Sequence, residues 1–236
     1  MKNQYFGDIN DYRKYGLLRI LTNRGEVKIA VCWMLTTDAD GGDGGSIGYL
    51  DAGAKRREYD PVLYDHLREW VLMRSVRDVR GAETSAILPN CRFSPGTLPD
   101  DADARARYFE ACMDIAQGCE LVFFDPDNGI EVDSTKYGRK DSSKYLYWHE
   151  IERFWNSGHS LLIYQHFPRV KREPFIDGKA RDLANHTGAS EVISFRTSHV
   201  VFLLVPQGER LGFFRDRSRQ VERSWGPEIQ VAYHPR

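Results

Sequence analysis

The sequence predicts a single-domain, three-layer α/β protein over residues 1–236, with a mostly parallel sheet and an antiparallel C-terminal edge. Three observations predict it. Short, wholly apolar runs such as Leu121-Val-Phe-Phe124 stop abruptly at turn residues, as strands buried on both faces do. Those runs alternate with helical patterns of 11–19 residues, which is the signature of parallel strands joined by crossover helices. Late in the chain two strand patterns are separated only by a short Thr-Ser turn, which makes an antiparallel pair. With 236 residues the chain can bury one substantial core.

The elements follow in order. Residues 8–22 read as a helix: Asp8 can cap it, Asp11 falls in its first turn, and Leu17, Leu18, Ile20 and Leu21 supply an apolar side. After Gly25, residues 27–35 read as a strand that runs into the glycine-dense stretch 38–46. Residues 61–79 look helical, with Pro61 in the first turn and Val62, Leu63, Leu67, Trp70 and Val71 at helical spacing. A short strand is expected at 85–88, then a proline-containing loop through Pro99, a helix over 101–117 with Phe109, Met113 and Ala116 on one face, and the strand 121–124. The second half repeats the alternation: helix 145–155 ended by Gly158, strand 160–164, helix 174–186 ended by Gly188, and strands 191–195 and 199–205. A basic segment, 209–225, precedes a last strand at 229–233 that closes the sheet.

Composition bounds the partners. Hydrophobic residues make up 41% and charged residues 28%, the balance of a soluble globular protein. The 33 basic and 34 acidic residues nearly cancel, so any contact with nucleic acid must come from a local patch. Arg210, Arg215, Arg217, Arg219 and Arg223, with Lys171, Arg172, Lys179 and Arg181, supply two basic segments that read either as a phosphate-binding patch or as a solvated face laced with acids. No secretory leader is expected at the start, and no run approaches the roughly 20 apolar residues of a membrane span, so no membrane partner is expected. Cys32, Cys91, Cys112 and Cys119 form no C-x-x-C pair, which fits a reducing, cytoplasmic setting.

Chemistry concentrates at Asp125-Pro-Asp127-Asn128-Gly129. Strand carboxyl ends are where open α/β sheets bind ligands, and Asp125, Asp127 and Glu131 crowd one of them. The same residues also make an ordinary surface turn. The glycines of 40–45 would let backbone approach a nucleotide-type cofactor after the first strand, or would form a plain surface loop; the spacing is neither G-x-G-x-x-G nor a P-loop. Asp11 and Lys14 lie one turn apart among Tyr5, Phe6, Tyr12 and Tyr15, either an exposed ion pair or part of a binding site. Gln165 and His166, at the tip of the strand after the Asp-Pro loop, could face the same crevice.

Taken in order, Gly7, Asp11 and Lys14, the buried strand with its glycine loop, and Asp125-Pro126 resemble the bacterial 23S ribosomal RNA adenine-N6 methyltransferases that act on free large-subunit RNA. That family opens on a helix bearing G-x-x-x-D-x-x-K and carries a D-P-P-[YF] motif after its fourth strand. The resemblance implies a Rossmann methyltransferase-like sheet, S-adenosylmethionine as cofactor, and RNA or DNA as partner. It implies Asp125, Asp127 and Asn128 as catalytic positions and Lys14, Asp38, Gly41, Gly42, Gly44 and Gly45 as cofactor contacts. Tyr12, Gln165, His166, Phe167 and Arg169 are the substrate-side candidates. The chain departs from the motif at its third and fourth positions, where Asp127 and Asn128 replace proline and the stacking aromatic, so Tyr12 or Phe167 is expected to supply the stacking face. No clear acid ends a second strand to hold the cofactor ribose, though Asp51 or Glu58 could serve.

Two other functions compete. Asp125, Asp127, Glu131 and Asp133 offer hard oxygen ligands for Mg²⁺, with Lys136, Lys140 or Lys144 nearby, as a nuclease or phosphohydrolase would need. Alternatively, loss of the D-P-P-[YF] motif marks a nucleic-acid-binding relative without catalysis.

Overall fold

The computed structural model describes residues 1–37, 45–51 and 55–236. Seven strands form one sheet in the order β2-β1-β3-β6-β8-β7-β9. These are β1 (Ile29–Cys32), β2 (Cys91–Phe93), β3 (Leu121–Phe124), β6 (Ser160–His166), β7 (Glu191–Arg196), β8 (Val200–Val205) and β9 (Gln230–Pro235), while β4 (Gly129–Ile130) and β5 (Tyr145–Leu146) make a separate two-stranded ladder. β2, β1, β3 and β6 are parallel neighbours, β8 runs antiparallel to both β6 and β7, and β9 pairs antiparallel with β7 at the edge. The sheet is therefore mostly parallel with an antiparallel C-terminal side, as the alternation of patterns predicts.

The apolar runs are explained by two cores, one on each face. Successive strand side chains point to opposite faces. Ile29, Val31, Leu121 and Phe123 enter one core with α1 (Ile9–Leu21), α2 (Pro61–Arg68) and α7 (Leu211–Trp225). Ala30, Cys32, Val122 and Phe124 enter the other with α4 (Ala102–Ala116), α5 (Trp148–Asn156) and α6 (Arg172–Thr187). A strand covered on both sides has no polar face to display, so β3 reads Leu-Val-Phe-Phe. Gly16, a poor helix former in mid-helix, lets α1 approach α7: a Cβ there would sit 2.3 Å from the Trp225 ring.

Four expected elements differ. The short strand expected at 85–88 is a turn, with Ser85 Oγ bonded to the Gly81 carbonyl at the end of α3 (Arg80–Glu83); the strand lies at Cys91–Phe93 instead. The helix expected over 61–79 is α-helical only to Arg68, continues as a single wide π turn over Glu69–Met73, and ends where Ser75 takes φ +55°. The helix expected over 145–155 begins at Trp148, because Tyr145 and Leu146 pair with Gly129 and Ile130. The first strand, expected over 27–35, is shorter, although Leu35 still bridges to Thr97 beyond its end. Among the described residues no helix is long and apolar enough to cross a membrane.

Candidate active site at the strand carboxyl ends

Asp125 leaves β3 with its amide still bonded to the Cys32 carbonyl at 3.0 Å, so the parallel ladder holds its backbone. Pro126 donates nothing and ends the strand. The loop turns at Gly129, whose φ of +123° suits glycine, and folds onto the tip of β6. There Gln165 braces it: Oε1 accepts from Ile130 N at 2.9 Å and Nε2 donates to the Asn128 carbonyl at 3.0 Å. A Cβ on Gly129 would lie 2.3 Å from Gln165 Oε1.

The helix α1 brings its first two turns to the same place. Asp8 caps it, accepting from Asn10 N and Asp11 N, both at 2.8 Å. Asp11 and Lys14 follow on one face. Lys14 Nζ donates to Asp11 Oδ1 at 2.7 Å and to Asp125 Oδ2 at 2.6 Å, and Met1 Sδ lies 3.6 Å away. Asp11 Oδ2 accepts from Tyr15 Oη at 3.0 Å and Gly7 N at 3.1 Å. The rings of Tyr15, Trp33 and Tyr164 surround the ammonium at 5.8–6.0 Å. Lys14, Asp11 and Asp125 are all at most 2% exposed.

Burial pushes the Asp125 carboxyl up from its ordinary value, and Lys14 and the Met1 amine oppose that rise. Burial alone would lower the Lys14 pKa, but Asp11 and Asp125 outweigh it and raise it. Burial, reinforced by Asp11, raises Asp8 to about 7. Asp127 is pulled below its usual range: burial works against this, but the Met1 amine, 2.7 Å from Oδ1, and Thr36 Oγ1, 2.7 Å from Oδ2, prevail.

These residues line a cavity of about 380 Å³ with Asn10, Tyr164 and His166. Its charged lining is mostly acidic: Asp8, Asp11, Asp125 and Asp127 against Lys14 and the Met1 amine. Asn10 Oδ1 is buried with no hydrogen-bond partner among the described residues. The cavity thus holds a surplus of acceptors.

The sequence-derived candidates separate on this frame. Asp11, Lys14, Asp125, Asp127, Asn128 and His166 meet at the cavity. Lys14 is engaged by two carboxylates, so it holds Asp125 rather than offering a free charge to a cofactor. Asp127 is likewise tied, and Asn128 takes part through its backbone, donating from N to the Lys144 carbonyl at 2.9 Å. Gln165 is a brace. Tyr12, expected as a stacking face, is fully buried against Tyr49, Tyr64 and Trp225, with its hydroxyl on the Arg56 carbonyl. Phe167 is 8% exposed beneath Arg172. Asp38, Gly41, Gly42 and Gly44 lie outside the described residues; Gly45 is exposed, and Ser46 beside it lines the cavity, its carbonyl accepting from Ile9 N at 3.1 Å. Asp8, Asn10 and Tyr164 were not expected as site residues. Asp8 carried only a cap signal, and Asn10 and Tyr164 carried none.

Glu131 and Asp133 do not reach this cavity, and among the described residues no three His, Cys, Asp or Glu side chains are placed to hold a metal ion. A second groove shares His166 with the cavity. Arg169, Lys171, Arg172 and His199 line it without an acid, and none of these three cations is ion-paired among the described residues. On α7, by contrast, Arg215 pairs with Glu191 and Arg219 with Asp216, and just before the helix Arg210 pairs with Glu120, while Arg217 bonds the Asn23 side chain.

No family model and no curated protein matches the sequence. Among solved structures the chain is similar to a Legionella pneumophila protein described by the family model DUF519, at 10% identity and a TM-score of 0.46, with 98% of this chain and 97% of that one covered.

Proposed function

We propose that this chain transfers a methyl group from S-adenosylmethionine to an amino nitrogen of a nucleic-acid base. The observation that carries the reading is the meeting of Asp11 and Lys14 with Asp125 in one buried triad at the carboxyl ends of β1, β3 and β6. Such crevices are the ligand sites of open α/β sheets. The acceptor surplus and the unpartnered Asn10 Oδ1 suit the positive charge of a sulfonium cofactor and the N–H donors of a base amino group.

The cofactor, when bound, supplies an electrophilic methyl group. Asp125 accepts a hydrogen bond from the acceptor amine, which aims the nitrogen lone pair and stabilises the positive charge that grows on it. As the nitrogen gains the methyl carbon and the carbon–sulfur bond breaks, the nitrogen gives up one proton, which the Asp125 carboxylate accepts. Lys14 favours the ionised form of that carboxylate against its burial and fixes it in place, and Asp11 holds Lys14. The acid-free groove at Arg169, Lys171 and Arg172 is suited to the phosphates flanking the base. The Mg²⁺ reading finds less support, since it needs Glu131 and Asp133 beside Asp125.

Titration calorimetry with S-adenosylmethionine, followed by methyl incorporation into mixed RNA and DNA, tests the proposal. Wild type is expected to bind the cofactor and methylate one of the pools. Asp125→Asn should retain binding and lose incorporation by at least about 100-fold, the scale of one transition-state hydrogen-bond partner. A wild type that neither binds the cofactor nor methylates either pool would refute it.

A further inference from the structure

The sheet ends at β9, and among the described residues no strand pairs with its outer side. The phase of the ladder shows which backbone groups face that way. Arg236 N donates to the Ser190 carbonyl at 3.0 Å, and Pro235 stands opposite Glu191, so the even-numbered residues of β9 turn their N–H and C=O groups toward β7. Val231 and Tyr233 turn theirs outward. Natural sheets guard such an edge with a charge, a mid-strand proline or a bulge. This one carries none of them: Gln230-Val-Ala-Tyr233 is uncharged, the pairing with β7 runs without a bulge, and Pro235 stands at the far end. Ala232 and Tyr233 are both exposed, Tyr233 at 36%.

From this geometry we infer that β9 pairs with β9 of a second copy of this chain, antiparallel about a two-fold axis at Ala232. A two-fold interface sets one surface against itself, and in this register the edge is complementary to itself. Val231 of each copy stands opposite Tyr233 of the other, and each such pair exchanges two N–H···O bonds. Centring the axis on Tyr233 instead would set Val231 against Pro235, which has no N–H to give. At Ala232 the chains meet in a non-hydrogen-bonded pair, where Cα atoms approach to about 4.5 Å, and the smallest side chain of the strand stands there. Tyr233 against Val231 is an aromatic–β-branched pair on the α7 side. Beside Tyr233 lie Glu191, Glu222, Arg215 and Arg219, acids and bases in equal number, so a second copy meets no block of like charge. On the other side β9 and α6 line a cavity of about 470 Å³. His234 is fixed at its wall, Nε2 lying 2.9 Å from Ser194 Oγ and Nδ1 3.2 Å from Asp177 Oδ1. Gln230 of the second copy stands opposite His234, and Asp177, Arg181 and Asn185 of the lining offer its amide both acceptors and donors.

Sedimentation equilibrium from about 1 to 200 µM reads the association, a range that brackets an interface built on one strand and its flanking helices. The mass is expected to rise from 27.2 kDa toward twice that value. Tyr233→Pro removes an outward N–H and none that bonds β7, so it should raise the dissociation constant at least about 10-fold, one hydrogen bond being lost on each side of the axis. Ala232→Glu sets two carboxylates against each other at the axis and should give monomer throughout. It alters an exposed side chain, so it decides should Tyr233→Pro fail to fold. The register has its own readout. Ala232→Cys should form a disulfide-linked dimer under mild oxidation, because the pair at the axis lies within disulfide reach. Gln230→Cys, opposite His234, should link no more than wild type, whose cysteines are buried or half-buried. A chain that stays at 27.2 kDa across the range, whether its edge is bare or serves a different partner, overturns the inference. So does a dimer indifferent to Tyr233→Pro and Ala232→Glu, or one in which Ala232→Cys crosslinks no better than Gln230→Cys. Failure of S-adenosylmethionine binding or methyl transfer bears on the proposed function alone, since β8 and β7 separate β9 from the cavity at β6.

Discussion

Replacing Lys14 by Met tests whether one cation maintains the site. The side chain keeps its approximate length and loses its charge, leaving Asp11 and Asp125 buried without the ammonium that lies 2.6–2.7 Å from each. Removing one partner from a buried ion pair costs about 3–5 kcal/mol, because the remaining charge stays desolvated. At roughly 2–4 °C per kcal/mol for a chain of this size, Tm should fall by about 6–20 °C. The loss should also depend on pH. Burial already raises Asp125, and Lys14 is the main opposing influence, so in the variant its folded pKa climbs further above the unfolded value. A carboxyl with a raised folded pKa contributes stability that is fully present below its unfolded pKa, where both states are protonated, and that is lost as pH rises from there through the folded pKa. The deficit of Lys14→Met relative to wild type is therefore expected to be larger at pH 8 than at pH 5 in urea unfolding. Adding Asp125→Asn should recover part of the loss, since the uncompensated charge is gone. A deficit below about 1 kcal/mol, equal at the two pH values and additive with Asp125→Asn, would refute the reasoning.

Three further outcomes are expected. Gly129→Ala forces both an unfavourable φ and an overlap with Gln165, so it should lower stability by about 1–3 kcal/mol, and a second substitution, Gln165→Ala, should relieve part of that in thermal melts. Asp8→Asn keeps the helix cap but removes a carboxyl raised to about 7, so it should match wild type near pH 4 and exceed it at pH 8, where the wild-type group must ionise while buried; a variant weaker at pH 8 contradicts this. The triple substitution of Arg169, Lys171 and Arg172 by Ala should flatten the salt dependence of single-stranded RNA binding by about 2 in log–log slope, whereas Arg215→Ala and Arg219→Ala, already paired with acids, should leave it unchanged.

The parts of the fold legible in the sequence were those where burial writes a pattern. β3 is covered on both faces and reads as an unbroken apolar run ending at a proline, and it falls at Leu121–Phe124 as expected. α1 carries its cap, its first-turn acid and its apolar side, and it forms from Ile9 to Leu21. β2 is different. Cys91 and Phe93 are half-buried and Arg92 is exposed at the sheet edge, three residues too few for alternation to register, and the more apolar Ile87-Leu88 nearby attracts the strand assignment. Tyr145 and Leu146 were lost to a helix for a related reason. A two-residue bridge gives no period, and the helical pattern beyond it runs on unopposed.

The site was legible where a residue type is costly to bury, and misread where its partner was invisible. Asp11, Lys14 and Asp125 stand out because three charged residues in aromatic or strand-end settings need a reason, and the reason is one another. Their separation of 111 residues between Lys14 and Asp125 gives no sequence sign of the pairing. Asp127 shows the opposite case: it occupies a motif position and lines the cavity, yet the Met1 amine and Thr36 hold its two oxygens, partners the motif does not reveal. Tyr12 failed as a stacking face because a tyrosine among tyrosines packs as readily as it binds, and here α7 brings Trp225 against it. With Tyr12 buried and Asn128 in the fourth position of the motif, the cavity has Tyr5, Tyr164 and His166 as its rings against a larger number of polar groups. A base entering to meet Asp125 would therefore be gripped more by hydrogen bonds from its edge than by stacking. Edge recognition discriminates strongly against analogues lacking the donor, because Asp125 and Asn10 would be left unpaired. Under the proposed function, the acceptor surplus would then select for an amino group first and for aromatic surface second.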